Sequence, residues 1–188
     1  KCGNSIDFNF KSKLKFLIHQ EDYHNLAIKN TIANEKSSSF NPNNLKLKKS
    51  VILNNPIFSV RYSHFFPNIL AACDESGFIT IIDSNVSINH SNHNNTQNEI
   101  EPHYRVQIQD NTIFDFDWCK SDSRIIAASG SAKCIMFSME KLVPECSFIG
   151  HCKSVKSVRQ AFYNENLFAS CGRDGMILLW DVRERKDE

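Results

Sequence analysis

The 188-residue chain is short of backbone punctuation, with six Gly and five Pro against fourteen Phe, so much of its core is expected to be aromatic. No apolar run approaches the roughly 18 residues that a membrane-spanning helix needs. The short run at 14–18 is broken by Lys15 and has no small-residue cleavage site behind it, so it is not read as a signal peptide. The seven Cys (2, 73, 119, 134, 146, 152 and 171) are odd in number and form no CxxC pair. Most lie inside apolar runs, where a thiol behaves as a small hydrophobe, and this fits a reducing compartment better than a disulfide scaffold. No nucleophile elbow and no paired acid–base constellation outside the strands is present, so an enzyme is not expected.

The charge is present but uneven. Residues 1–50 hold nine Lys, four acids and no Arg, whereas 51–110 hold two Arg and six acids. The scattered Lys of the basic head read as a solvated segment, and direct nucleic-acid binding is not expected. Because the first residue is Lys rather than Met, the chain is expected to be a piece of a longer protein.

Internal repetition is the strongest signal. Three segments share one grammar of apolar-alternating strand, turn, small-residue strand, turn and third strand. They run 57–62, 69–73 and 78–83; then 113–118, 125–129 and 134–138; then 155–161, 167–171 and 176–181. Aligned on their third strands, Ile82, Phe137 and Trp180 are equivalent, 55 and 43 residues apart. The excess in the first interval is explained by 84–99, SNVSINHSNHNNTQNE, an Asn-rich insertion too polar to offset its own ordering entropy. A period near 43 with several short strands per unit predicts an all-β, WD-repeat β-propeller of about three recognisable blades, as a fragment of a seven-bladed ring. The expected organisation is a polar basic segment over 1–50, contributing in part to a closing blade, and propeller blades over 51–188. Fourth strands are expected at 144–149, around Ile108, and at 51–53 as the outer strand of a preceding blade.

The third repeat carries Gly150-His151, Ser170, Asp174-Gly175 and Trp180-Asp181. Gly175 suits the positive φ of a hairpin turn. A His–Ser–Asp hydrolase triad is rejected, because Ser170 lies within an apolar strand rather than on a turn. The other repeats show Ser76-Gly77 and Ser131-Ala132 at the turn, and Ile82 and Phe137 in place of Trp180. His90, His93 and His103 lack a cysteine and a regular element to hold them, so no metal and no cofactor is expected. Cys146 and Cys152, which flank Gly150-His151, are read as unreactive thiols. Arg61, Arg105, Arg159 and Arg173 are the positions where an acidic ligand on a propeller face would be sought, with Arg173, beside the turn Asp, as the best of them.

Residues Ser154-Val155-Lys156-Ser157-Val158 after the Gly-His, and the turn Cys171-Gly172-Arg173-Asp174-Gly175, carry a more specific likeness. With NTIFDFDW (111–118) and ILAACDESGFI (69–79), they make the chain resemble the denticleless-type substrate receptors of cullin-4 RING ubiquitin ligases over about 56–186. Cys171 departs from the family's Gly, and the likeness is weak or absent over 1–50. The resemblance implies that His151, Ser170, Asp174 and Trp180 form the structural tetrad of a WD blade. It also implies that Trp180, Asp181 and Arg183 form an adaptor-docking Trp-Asp-x-Arg. There Trp180 would be buried, Asp181 would orient the backbone and the Arg, and Arg183, without a role inside the chain, would reach the multi-propeller ligase adaptor. It implies further a non-catalytic nuclear receptor that recruits degron-bearing substrates, bound with the sliding clamp, for ubiquitination linked to DNA replication and the cell cycle. A WD-repeat scaffold in another nuclear complex, of chromatin or RNA processing, is the alternative.

Overall fold

Alternation of apolar and polar residues, interrupted every five or six residues by turns, leaves short antiparallel strands as the way to bury one face. The computed structural model describes residues 49–85 and 102–184. The expectations for 1–48, and for most of the Asn-rich insertion with His90 and His93, lie outside the described residues.

Eleven strands are described. The first sheet holds β1 (Ile57–Tyr62), β2 (Ile69–Asp74), β3 (Phe78–Asp83) and β4 (Tyr104–Gln107). The second holds β5 (Ile113–Trp118), β6 (Arg124–Ser129), β7 (Lys133–Ser138) and β8 (Val143–Ile149). The third holds β9 (Val155–Gln160), β10 (Leu167–Gly172) and β11 (Ile177–Asp181), and a 3-10 turn follows at Val182–Glu184. Each sheet is an antiparallel meander in chain order, the form of a propeller blade. One expected outer strand is corrected: residues 51–53 form no strand. The strand expected around Ile108 is present as β4 on its neighbours Tyr104–Gln107, and the Ile108 N–H donates to the Gly77 carbonyl (2.9 Å) just beyond its end.

The inner strands carry a shared irregularity. Pairing slips between Ile57 and Ser59 in β1 and between Ile113 and Asp115 in β5, and the β9–β10 ladder slips at the corresponding place. A bulge re-aims the residue beside it. Here those residues are Ser59, Asp115 and Ser157, and they meet. The buried Asp115 carboxylate accepts Ser59 Oγ (2.9 Å) and Arg61 Nη2 (2.9 Å) from the first blade. From the third it accepts Ser157 Oγ (2.6 Å) and Arg159 Nη1. Two further carboxylates of the second blade reach across. Asp117 accepts the Gln160 N–H (2.9 Å), and the buried Asp122 accepts the Phe65 N–H (2.9 Å) and Ser63 Oγ (2.5 Å).

Between the second and third blades lies a core of Ile126, Ala128, Cys134, Met136, Phe148, Val155, Val158 and Phe168, with Trp180 and Val182 packed on its rim. Cys134 belongs to this core, and Cys73 on β2 and Cys119 after β5 are buried elsewhere in the sheets. Burial pushes Cys73 and Cys119 up to about 12 and Cys134 to about 11, so they stay protonated.

The three inner hairpins turn at equivalent residues in the left-handed region: Gly77 (φ 81°), Ala132 (φ 63°) and Gly175 (φ 79°). At Gly77 a Cβ would also meet the Gln109 carbonyl oxygen at 2.0 Å, so only glycine fits. Ala132 holds the same conformation against its own Cβ.

Asp115→Ala is expected to lower stability by about 2–3 kcal/mol. It strands two guanidiniums that are only partly exposed, as measured by denaturant melts. Ala132→Gly is expected to raise stability by about 0.5–1 kcal/mol in the same measurement, since relief of the left-handed strain exceeds the added chain entropy. An unchanged or lower midpoint for Ala132→Gly would contradict this account.

Candidate functional site: the third blade and its two ends

Strands β10 and β11 pair Phe168 with Trp180 and Ser170 with Leu178, which sets Trp180 beside Ser170 on the face turned to the second blade. Gly150 makes room for the indole: a Cβ there would lie 2.7 Å from Trp180 Cη2. The ring stacks on Phe168 (centroids 5.9 Å, 16°) and meets Phe148 edge-on.

The structure brings the four tetrad residues together in one chain of hydrogen bonds. Trp180 Nε1 donates to Ser170 Oγ (2.7 Å), and Ser170 Oγ lies 2.8 Å from His151 Nε2. His151 Nδ1 lies 2.8 Å from Asp174 Oδ2. The arrangement is self-consistent with Ser170 donating to Nε2 and Nδ1–H donating to the carboxylate. Asp174 also accepts the Met176 N–H (3.1 Å) and the Cys152 N–H (2.9 Å). It thereby ties the β10–β11 hairpin to the connection entering β9. Burial opposes its charge, but those two backbone donors and the His151 ring outweigh it and hold the carboxyl at about 2.

Ser, His and Asp stand here in the order of a hydrolytic triad, and the surroundings show why the set is structural. Ser170 and His151 are buried, and the indole N–H occupies the hydroxyl that a nucleophile would need free. Among the described residues no group of three or more His, Cys, Asp or Glu is arranged to hold a metal ion.

The other blades do the same work with different residues, which reading the sequence for tetrads misses. The position of Gly172 is filled by Asp74 in the first blade and by Ser129 in the second. Asp74 accepts the N–H groups of Ser76 (2.9 Å) and Phe78 (3.0 Å), Asn55 Nδ2 (3.1 Å) and Arg105 Nη2 (2.7 Å). Ser129 accepts the Ser131 N–H (2.9 Å) and Gln109 Nε2. The available signal is a turn-capping side chain three residues before the positive-φ position.

Trp180, Asp181 and Arg183 lie at the opposite end of the blade from Asp174. Trp180 is half-buried rather than buried, because its three-stranded sheet has no outer strand among the described residues to cover β11. Asp181 Oδ1 accepts both the Arg183 N–H and Arg183 Nε, each at 2.9 Å, and Oδ2 accepts Nη2. Asp181 therefore holds the Arg183 backbone and guanidinium from within the chain, while the Arg183 side chain is still 65% exposed. Hydrogen bonds from the Arg183 side chain and backbone hold the Asp181 carboxyl at about 2.

The Arg positions expected to meet an acidic ligand divide. Arg61 and Arg159 are bound to Asp115, and Arg105 to Asp74, so internal ion pairing removes all three from that role. Arg173 is exposed at the hairpin end, and among the described residues no acidic partner faces it. It lies close enough to Lys156 that, after burial, its charge helps lower that lysine's pKa. Lys156 is itself seated over the Phe114 ring, 3.0 Å from the centroid. Cys152 is exposed and Cys146 half-buried, and both are free thiols.

The three meanders and the tetrad define a WD-repeat protein, and residues 142–181 match the family described as WD domain, G-beta repeat. The chain is more particularly denticleless-like. It is 32% identical over 132 residues to Protein lethal(2)denticleless of Drosophila melanogaster, covering 68% of this chain and 16% of that protein. It is 30% identical over 125 residues to the Denticleless protein homolog of Gallus gallus, covering 65% and 16%. With the Danio rerio homolog it shares 31% over 137 residues, covering 71% and 19%. The chain thus matches less than a fifth of the length of these curated relatives.

The contribution of Asp174 to stability should be constant above about pH 4 and be lost as the pH drops toward 2. A carboxyl depressed in the fold stabilises above its unfolded pKa and loses that contribution as the pH falls through its folded value. Asp174→Asn should melt lower than wild type at neutral pH and show a shallower acid slope; parallel curves would remove Asp174 from the lock.

Proposed function

We propose that this chain is a non-catalytic substrate receptor of a cullin-4 RING ubiquitin ligase, docking on the ligase's multi-propeller adaptor through Arg183. It would act in the nucleus, recruiting replication-linked protein substrates that carry a degron presented with the sliding clamp. The similarity to denticleless proteins supports the receptor reading, and the WD repeat supports a protein-binding role.

One observation carries the docking role: Arg183 is exposed, yet its guanidinium is held by the Asp181 carboxylate through both Nε and Nη2. A free arginine surrenders rotamer freedom on binding, whereas one already held in place surrenders less. The donors that point away from Asp181 remain for acceptors on a partner. Nothing in the blade's core rests on this side chain.

Arg183→Ala is expected to weaken capture by the purified adaptor at least tenfold, with the melting temperature unchanged within a degree or two. Equal capture of the two proteins would reject the docking role.

A further inference from the structure

Beside Arg183 stands a surface feature that the docking motif does not include. The β9–β10 loop, residues 161–166, abuts the 3-10 turn directly, with the Val182 N–H donating to the Asn166 carbonyl (2.8 Å). The loop is internally pinned. Asn164 N–H donates to Ala161 O (3.3 Å), Leu167 N–H to Asn164 O (3.1 Å), and Asn166 N–H to Asn164 Oδ1 (3.0 Å). Gln160 Nε2 holds it from the strand side, reaching the Leu167 carbonyl (2.7 Å). On this braced loop Phe162 and Tyr163 are 80% and 92% exposed, locked edge-to-face with ring centroids 4.9 Å apart.

Two neighbouring aromatics on an ordered loop, facing solvent and packed on each other rather than on the core, keep a large apolar area in water. That area becomes favourable only when something covers it. Aromatic residues and Arg together are the composition of interface hot spots.

The surrounding charge chooses the class of partner. In segments 161–166 and 181–184, Glu165, Asp181 and Glu184 outnumber the single cation Arg183, which Asp181 already neutralises. These two segments offer a polyanion such as nucleic acid no unpaired cation, whereas a protein surface with an apolar pocket beside a carbonyl or carboxylate rim would fit.

We infer that Phe162 and Tyr163 are an apolar anchor of the same docking surface as Arg183, seated in an apolar pocket of the protein partner next to the group that receives the guanidinium. The inference rests on the adaptor reading above.

The full chain and its variants are titrated against the immobilised, purified adaptor. The double variant Phe162→Ser/Tyr163→Ser is expected to lose at least tenfold in affinity with an unchanged melting temperature. Tyr163→Arg alone should lose affinity too, and it decides the matter if the double variant folds poorly. If Arg183→Ala loses affinity while both aromatic variants bind as wild type, the aromatic anchor is overturned and the adaptor reading stands. If the wild-type chain is not captured at all, the adaptor reading fails and the anchor falls with it. Capture of the wild type on DNA that is lost in the aromatic variants would overturn the choice of a protein partner.

Discussion

The Asp115 carboxylate sits where three sheets converge and takes donors from both neighbours at once. Ser59 and Arg61 approach from one side, Ser157 and Arg159 from the other. Blades of this kind pack largely through apolar faces that resist sliding only weakly, because the hydrophobic effect has no direction. Hydrogen bonds with fixed geometry supply the missing register. Burial alone would raise the carboxyl's pKa. The four donors outweigh it and the group stays charged, so two guanidiniums are attracted from opposite sides. The repeated bulge belongs to the same device, since without the extra residue the side chains after it would point to the other face.

Once the inner strands are registered, each hairpin end needs its own closure, and the three blades reach it by different chemistry. The first uses Asp74 with Arg105 and Asn55, the second Ser129 with Gln109 and Ser131, and the third the His151–Asp174 pair with Ser170 and Trp180. In each, a side chain near the turn accepts a hairpin N–H and reaches a neighbouring strand or connection. Gly172 fits this scheme. A Cβ at that position would stand 2.9 Å from His151 Nδ1 and 3.0 Å from Asp174 Oδ1. The residue that locks the other two blades must therefore be absent where the His–Asp pair takes over.

This explains what could be read from the residues and what could not. Strand positions were legible because a period-2 pattern with turn residues is a local property of the chain. The tetrad was legible only through the likeness of the third repeat to WD repeats, whose four positions all lie within one repeat. Asp115 was not, since its partners are more than 40 positions away and a Ser or Arg on an inner strand looks solvent-facing in isolation. Arg61, Arg105 and Arg159 suggested ligand contacts for the same reason: sequence shows a cation but not the carboxylate across the blade boundary. Ala132 concealed its left-handed turn because no glycine marked it. The outer strand of the second blade was legible to within a residue, whereas around the long polar insertion and over 51–53 the chain carries too little alternation to fix strand ends.

The same distinction between local and distant partners bears on Arg183. Its only ion pair among the described residues is with Asp181, two positions away, and that pair is solvent-exposed, so it adds little to stability. What it does is geometric. A short loop of chain binds the guanidinium twice and leaves its outer edge uncovered. An arginine selected for stability would be turned inward, as Arg61 and Arg159 are, toward a carboxylate shared between blades. An arginine held rigid at the rim by its own neighbour, beside two aromatic rings that are likewise braced and uncovered, stabilises nothing within the fold. Its rigidity has an energetic consequence only when a second surface arrives.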